Sequence, residues 1–139
     1  MSVEEYSWAK VDITLMGRLL INVEDFEYKR TQEIEVFFGN GQEATGWGRG
    51  EIKGEGKVSV SGAEYASIID FATAYGYDLL KMSPFPIIAT QKAEGMPTIV
   101  HILTQCIFKE DGFKGKAKDK RFMYDLPFVI VGEVQKVKI

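Results

Sequence analysis

Alternation of apolar and polar residues dominates this chain and predicts strands. Val11, Ile13 and Leu15 alternate with polar neighbours, which is the two-residue period of a half-buried strand. Met16-Gly17 then predicts a turn, so the first two strands are expected to form a hairpin. Further strands are predicted at roughly 19–23, 25–38, 51–60, 87–91, 98–108, 122–130 and 134–137. The chain is therefore expected to have about seven or eight strands.

One stretch, residues 62–75, has the period of a helix. Its apolar positions recur at i, i+3, i+4 and i+7: Tyr65, Ile68, Ile69 and Ala72. Ser61 and Glu64 have the S-x-x-E spacing of a capping box, in which each side chain accepts a hydrogen bond from a backbone N–H. Gly76 is placed to end the helix in a left-handed conformation.

Many strands with a single helix indicate a mainly β protein. We predict an antiparallel β-sandwich or barrel whose one α-helix, at about 62–75, covers an open end or edge. A parallel sheet would need a helix between most strands. The length of 139 residues fits one domain, 1–139.

The predicted strand at 25–38 has one face that is polar over many residues. That face carries Glu27, Lys29, Thr31, Glu33 and Glu35. The opposite face carries Tyr28, Ile34, Val36 and Phe38. Gly39-Asn40-Gly41 predicts a turn, and the glycines at 46, 48 and 50 predict a flexible loop, or a bulged strand, before the next strand.

Composition and charge exclude only a few classes of protein. Hydrophobic residues make up 45% and charged residues 27%, and no run approaches the ~20 apolar residues of a membrane helix. The N-terminus has no apolar signal-peptide core, which favours an intracellular protein. The net charge is −3, although six basic residues against three acidic ones lie between Lys109 and Arg121. Nonspecific nucleic-acid binding usually requires a basic domain.

Residues with catalytic or metal-binding chemistry are sparse. The single histidine, His101, lies inside a predicted strand, and no second histidine or cysteine cluster completes a zinc site. The single cysteine, Cys106, is predicted to be a buried small hydrophobe. We therefore predict no catalytic residues, no metal site, no cofactor and no enzymatic activity.

Two segments of the sequence invite comparison with phosphate-binding or nucleic-acid-binding sites. Gly54-Glu55-Gly56-Lys57 lacks the first glycine and the Ser/Thr of a phosphate-binding loop, and a strand instead of a helix follows it. Trp47 and Phe113 together with the lysines at 114, 116, 118 and 120 could combine base stacking with phosphate contacts. Because the chain is acidic overall, a solvated hairpin tip is the favoured interpretation of those lysines.

Several segments together resemble the phage tail tube protein family, of the small type found in contractile tails and related injection machines. They are GRLLINVEDFEY near the N-terminus, G-x-G-x-V-S-V leading into the helix, and TQCIFKEDGF with YDLPFVIVGEV. The resemblance implies a β-barrel-like sandwich that assembles into six-membered rings. Neighbouring subunits would contribute strands to one inner barrel around a channel, and the rings would stack.

The resemblance assigns roles to particular residues. The polar face of Glu27, Lys29, Thr31, Glu33 and Glu35 would line the lumen, where a mainly negative wall would let DNA slide without sticking. Contacts between subunits or rings would involve Gly41, Trp47, Arg49, Phe71, Lys114, Lys116 and Lys118.

It also implies partners and a location. The chain would bind copies of itself, and tail sheath, baseplate and tape-measure proteins would be further partners. DNA or an effector would pass through the lumen, and no membrane would be involved. The location would be a virion tail or phage-like particle assembled in a bacterial host's cytoplasm.

An alternative from another class is a monomeric small β-barrel that binds an apolar ligand in a cavity lined by Phe, Tyr and Ile side chains. No convergent polar set that would orient such a ligand is evident. An enzyme is the third alternative, and it would require a deep pocket with perturbed titratable groups.

Overall fold

A computed structural model describes residues 4–74, 76, 78–113, 116–118 and 121–139. These residues form eight strands, one α-helix and two short 3₁₀ turns. In chain order the elements are the turn Trp8–Lys10, β1 Val11–Leu15, β2 Arg18–Leu19, β3 Val23–Phe38, β4 Ala44–Ser61, α1 Gly62–Ala74, the turn Leu79–Lys81, β5 Phe85–Gln91, β6 Ile99–Phe108, β7 Met123–Ile130 and β8 Val134–Lys138.

All eight strands belong to one antiparallel sheet. Its order is β2-β1-β5-β6-β7-β4-β3, and β8 pairs with β6 beside this path. The mainly β antiparallel class with one α-helix is therefore confirmed. Within the described residues β2 and β3 do not pair, so the sheet is not closed into a barrel.

Strand β6 has two different partners along one of its edges, and the change of partner comes where β7 ends. The first half of β6 pairs with β8, from Ile99↔Lys138 to Leu103↔Val134. The second half pairs with β7, from Cys106↔Ile130 to Phe108↔Phe128. β7 also pairs with β4 along residues 54–61. Beyond Ile130 the chain follows β6 alone, so residues 44–53 of β4 have β3 as their one partner among the described strands.

The core lies between the curled sheet and α1. The side chains that are fully enclosed come from β1, β4, α1, β5, β6 and β7, and the largest are Leu15, Val58, Val60, Ile68, Ile87, Leu103, Cys106, Leu126 and Phe128. They form a single cluster with the other buried apolar residues. On β4 and β7 they occupy alternate positions, as the sequence pattern predicts, whereas on β6 the enclosed Leu103 and Cys106 are three residues apart.

The helix matches its predicted bounds, with the last predicted residue, 75, outside the described residues. Gly76 has φ +76°, the left-handed conformation expected of a residue that ends a helix. The predicted capping box is wrong, because within the described chain the Ser61 hydroxyl has no hydrogen-bond partner. Glu64 is buried and instead pairs with Arg18 at 3.1 Å, which fastens α1 to the β1–β2 hairpin. Among the described residues, no helix is long and apolar enough to span a membrane.

The predicted flexible loop before β4 is also wrong. β4 begins at Ala44, and Gly46, Gly48 and Gly50 lie within the strand, paired with β3. The alternative of a bulged strand is the correct one, because the register shifts between Gln32↔Ile52 and Ile34↔Arg49. The predicted first turn is confirmed, since Met16 and Gly17 both have positive φ and connect β1 to β2.

Candidate functional site

The distal half of the β3–β4 hairpin, residues 31–53, projects beyond the rest of the sheet. We call these residues the arm, and residues 23–30 and 54–61 the base. Along the base, β4 pairs with β7, and this pairing ends at Gly54↔Ile130. Every residue of the arm is exposed except Gly46 and Gly48, which are half-buried. Eight residues of β3 lie in the arm, which gives it a length of about 27 Å.

One face of the arm carries large apolar side chains. Backbone alternation and the pairs Val36↔Trp47, Ile34↔Arg49 and Gln32↔Ile52 place them together. We call this group the apolar strip: Ile34, Val36, Phe38, Trp47 and Ile52, which are between 43% and 63% exposed. The same face of the base carries Phe26 and Tyr28, which pack against the core. The side of the hairpin that packs on the core in the base is therefore exposed to solvent in the arm of a single chain.

Glycines allow aromatic rings to lie flat on the hairpin. A Cβ at Gly56 would overlap the backbone oxygen of Glu27 and the ring of Phe128. In the arm, the Phe37 ring lies over Gly46 and Gly48, at 3.9 and 3.8 Å from where their Cβ atoms would be. Gly56 therefore leaves room for the Phe128 ring, whereas at Gly46 and Gly48 a Cβ would make only ordinary van der Waals contact with Phe37.

The polar face lies on the opposite side of the hairpin from the apolar strip. In register with β4, Glu27 lies opposite Lys57, Lys29 opposite Glu55, and Thr31 opposite Lys53. Cross-strand pairs of opposite charge stabilise a sheet. The Lys29 ammonium is 3.8 Å from the Glu55 carboxylate, and both side chains are exposed.

β4 and the β6–β7 connection change the charge of this face. Lys109 lies 3.5 Å from the other oxygen of Glu55, so that one carboxylate meets two lysines. Lys53 and Lys57 add two more ammonium groups beside β3. The mainly negative surface that β3 alone predicts is therefore close to charge balance in the part of the hairpin nearest the core.

The outer part of the polar face stays acidic. Glu35 lies opposite Gly48, and Glu33 lies at the bulge, with its side chain close to Gly50. Neither glycine can supply a countercharge. All five residues predicted to line a lumen are exposed and share one side of β3, as alternation requires. Their position in a channel stays a prediction.

Three of the predicted contact residues belong to the arm. Gly41 lies in the connection at its tip, and Trp47 is in the apolar strip. The Arg49 guanidinium lies 5.0 Å from the centroid of the Trp47 ring, within the range of a cation–π contact. The arm thus presents an aromatic surface with a positive group held against it.

The other predicted contact residues lie apart from the arm in the sequence. Phe71 is half-buried on α1. Lys116 and Lys118 are exposed, and the described residues 116–118 are not part of a strand. Lys114 lies outside the described residues.

Sequence reasoning missed the members of the apolar strip as candidate surface residues, apart from Trp47. Alternation showed that Ile34, Val36 and Phe38 share a face, but alternation alone does not distinguish a core face from an exposed one. The signal that was available is length. β3 has 16 residues and β4 has 18, while β7, which covers β4, has 8.

The single cysteine lies in the core and the single histidine at its margin. Burial raises the pKa of the Cys106 thiol to about 12, which is the expected behaviour of a buried small hydrophobe. His101 is half-buried and accepts or donates hydrogen bonds at both ring nitrogens. Among the described residues, no group of three or more His, Cys, Asp or Glu side chains could hold a metal ion.

Comparisons with known proteins add no family assignment. No protein-family model matches the sequence. No curated protein matches it either. The geometry of the hairpin and the resemblance of the sequence to tail tube proteins are therefore the grounds for a proposed function.

Proposed function

We propose that this chain is a structural subunit that self-assembles through its hairpin arm into rings that stack into a tube, as phage tail tube proteins do. The observation that carries the proposal is the apolar strip on a paired, extended arm. Isolated apolar side chains at a surface are normal, but a contiguous strip of this kind marks an interaction surface or an aggregation hazard. Burial of the strip against another copy would stabilise the assembly.

The free strand edges support the same proposal. Among the described strands β3 pairs with β4 alone, so one edge of a 16-residue strand is available along its length. Residues 44–53 of β4 also have one free edge. Long free edges are templates for pairing with another chain. When two different edges of one chain pair head to tail, the result is a ring if the rotation closes.

The polar face suits the wall of a water-filled channel. A sheet that encloses water needs polar side chains on its inner side and apolar packing on the other. The hairpin has this division along most of β3, with Glu27 to Glu35 on one side and Phe26, Tyr28, Ile34, Val36 and Phe38 on the other. Arg30 and Gln32 interrupt the apolar side, and Phe37 lies on the polar side. Few lysines on this face lack an acidic partner, so little would hold the phosphate groups of DNA in place. DNA is therefore the favoured cargo of the channel.

Other components are proposed by resemblance alone. The tail sheath would bind the outside of the tube, the baseplate would template its first ring, and a tape-measure protein would occupy the lumen before DNA passes. The site of action would be a virion tail or phage-like particle. The alternative of a monomeric barrel that binds an apolar ligand has less support, because the described strands do not close around a cavity.

Light scattering and negative-stain microscopy over a range of concentrations test self-assembly. We expect the wild-type chain to form particles with a central hole as concentration rises. A Val36→Lys/Trp47→Lys variant should stay monomeric with an unchanged circular dichroism spectrum, because both side chains are exposed in the single chain. Leu80→Lys is the matched control, since Leu80 is an exposed apolar residue outside the arm.

The control should assemble like the wild type. A wild-type chain that is monomeric at every concentration would contradict the proposal. Equal assembly by the arm variant would show that the apolar strip is not the contact surface.

A further inference from the structure

His101 joins three strands through hydrogen bonds at both of its ring nitrogens. Its Nδ1 lies 2.6 Å from the Tyr28 hydroxyl on β3, and its Nε2 lies 2.8 Å from Oε1 of Gln91 on β5. The Tyr28 ring also meets the imidazole edge-on, with centroids 5.5 Å apart. Because Oε1 of Gln91 can only accept, Nε2 is the protonated nitrogen and Nδ1 accepts the hydrogen bond from Tyr28. The arrangement fits neutral histidine.

The position of this contact matters for the hairpin. β3 pairs with β4 alone among the described strands, so side chains such as Phe26 and Tyr28 are what hold its base against the core. Tyr28 lies three residues before the first residue of the arm. Its bond to His101 connects β3 to β6, which are not neighbours in the sheet, and links residues 73 apart in sequence.

A proton on His101 would disturb this contact. The imidazolium donates from both nitrogens, so the Tyr28 hydroxyl would have to turn its own proton away and accept instead. The ammonium of Lys136, on the cross-strand neighbour in β8, opposes a second positive charge there. Burial first, and then Lys136, lower the pKa of His101 from its ordinary value of 6.5.

The remaining groups around the imidazole carry little charge. A groove of about 340 Å³ beside it is lined by Glu27 of β3 and otherwise by uncharged side chains, namely Trp8, Val11, Phe26, Tyr28, Ala89 and Gln91. Glu27 is exposed and lies on the polar face, where it is opposite Lys57. Among the described residues that line the groove, Glu27 is thus the one carboxylate that could favour protonation of His101.

We propose that His101 is a proton-controlled latch between the base of the hairpin and the body of the protein. In its neutral form the imidazole holds Tyr28, and with it β3, against β5 and β6. On mild acidification Nδ1 becomes a donor, so the Tyr28 hydroxyl must reverse and accept while Lys136 opposes the added charge. The weakened contact loosens the base and gives the arm more freedom to move. This latch is a property of the single chain and does not depend on self-assembly.

Nuclear magnetic resonance can observe the latch directly, because the chain has one histidine. We expect the ¹⁵N shifts at neutral pH to show Nε2 protonated and Nδ1 unprotonated. The titration midpoint should lie below 6.5, and Lys136→Met should raise it. Cross-peaks of residues 26–30 should change with the same midpoint. A proton on Nδ1, or a wild-type midpoint at or above 6.5, would overturn the proposal.

Urea unfolding at several pH values gives a second readout. Because folding lowers the pKa of His101, the unfolded chain binds more protons, so stability should fall as pH drops below 6.5 and level off under the folded-state pKa. Tyr28→Phe should reduce this pH dependence, since its ring no longer donates to Nδ1. Tyr65→Phe is the matched control, because it removes a tyrosine bond to Asp111 far along the chain. Equal pH dependence in Tyr28→Phe and Tyr65→Phe would contradict the latch.

Discussion

The base and the arm of the β3–β4 hairpin have the same strand pairing and the same alternation, but their surroundings differ. In the base, Phe26 and Tyr28 pack on the core and Val58 and Val60 are fully buried. In the arm, side chains of the same face are exposed, Trp47 by 62%. Alternation therefore fixes which residues share a face, while packing against the core decides whether that face is buried. β7 pairs with β4 along the base, and this pairing ends where the arm begins.

The largest expected difference comes from removing one aromatic ring that packs on the base and one aromatic ring of the arm. Phe128 is fully buried and its ring lies over Gly56 of the base. We expect Phe128→Ala to lower the free energy of unfolding by about 3–5 kcal/mol, through lost burial and the cavity left behind. Phe38→Ala, at an exposed position in the arm, should change it by less than about 0.5 kcal/mol. Urea unfolding at low protein concentration measures both, and similar losses would mean that the arm is packed in the single chain.

A smaller difference is expected from adding one methyl group to a glycine in each region. Gly56→Ala brings a Cβ into the Glu27 backbone oxygen and the Phe128 ring, so stability should fall by about 1–3 kcal/mol. Gly41→Ala at the tip of the arm meets nothing within 4 Å, so the change should stay below about 0.5 kcal/mol. Thermal unfolding of the two variants provides the comparison. An unchanged melting temperature of Gly56→Ala would show that the close approach of Phe128 does not require a glycine at this position.

The sequence predicts most strands and the helix because those signals are local. Alternation at 98–108 and 122–130 corresponds to β6 and β7 within one residue at each end. Gly76 marks the helix end because a left-handed residue is required there. The glycines at 46, 48 and 50 misled the prediction because local propensity cannot reveal that this segment pairs with β3 in one long hairpin.

The candidate surface could be predicted only in part. Five residues of β3 were correctly placed on one face, since alternation is a property of the strand itself. The lysines that balance their charge come from β4 and from Lys109, and finding them requires the strand register and the long-range fold. The partnership of Glu64 with Arg18 likewise joins residues that no local pattern connects.

We propose that the arm is covered by another copy of the chain, whereas the core-facing side of the base is already packed in a single chain. Amide hydrogen exchange in dilute and concentrated solution tests it most directly, because free strand edges leave backbone N–H groups open to water. We predict that exchange at residues 31–38 and 44–53 slows as assemblies form, with little change at residues 54–61, which already pair with β7. Assemblies that leave the arm exchanging as fast as in the dilute chain would contradict the account.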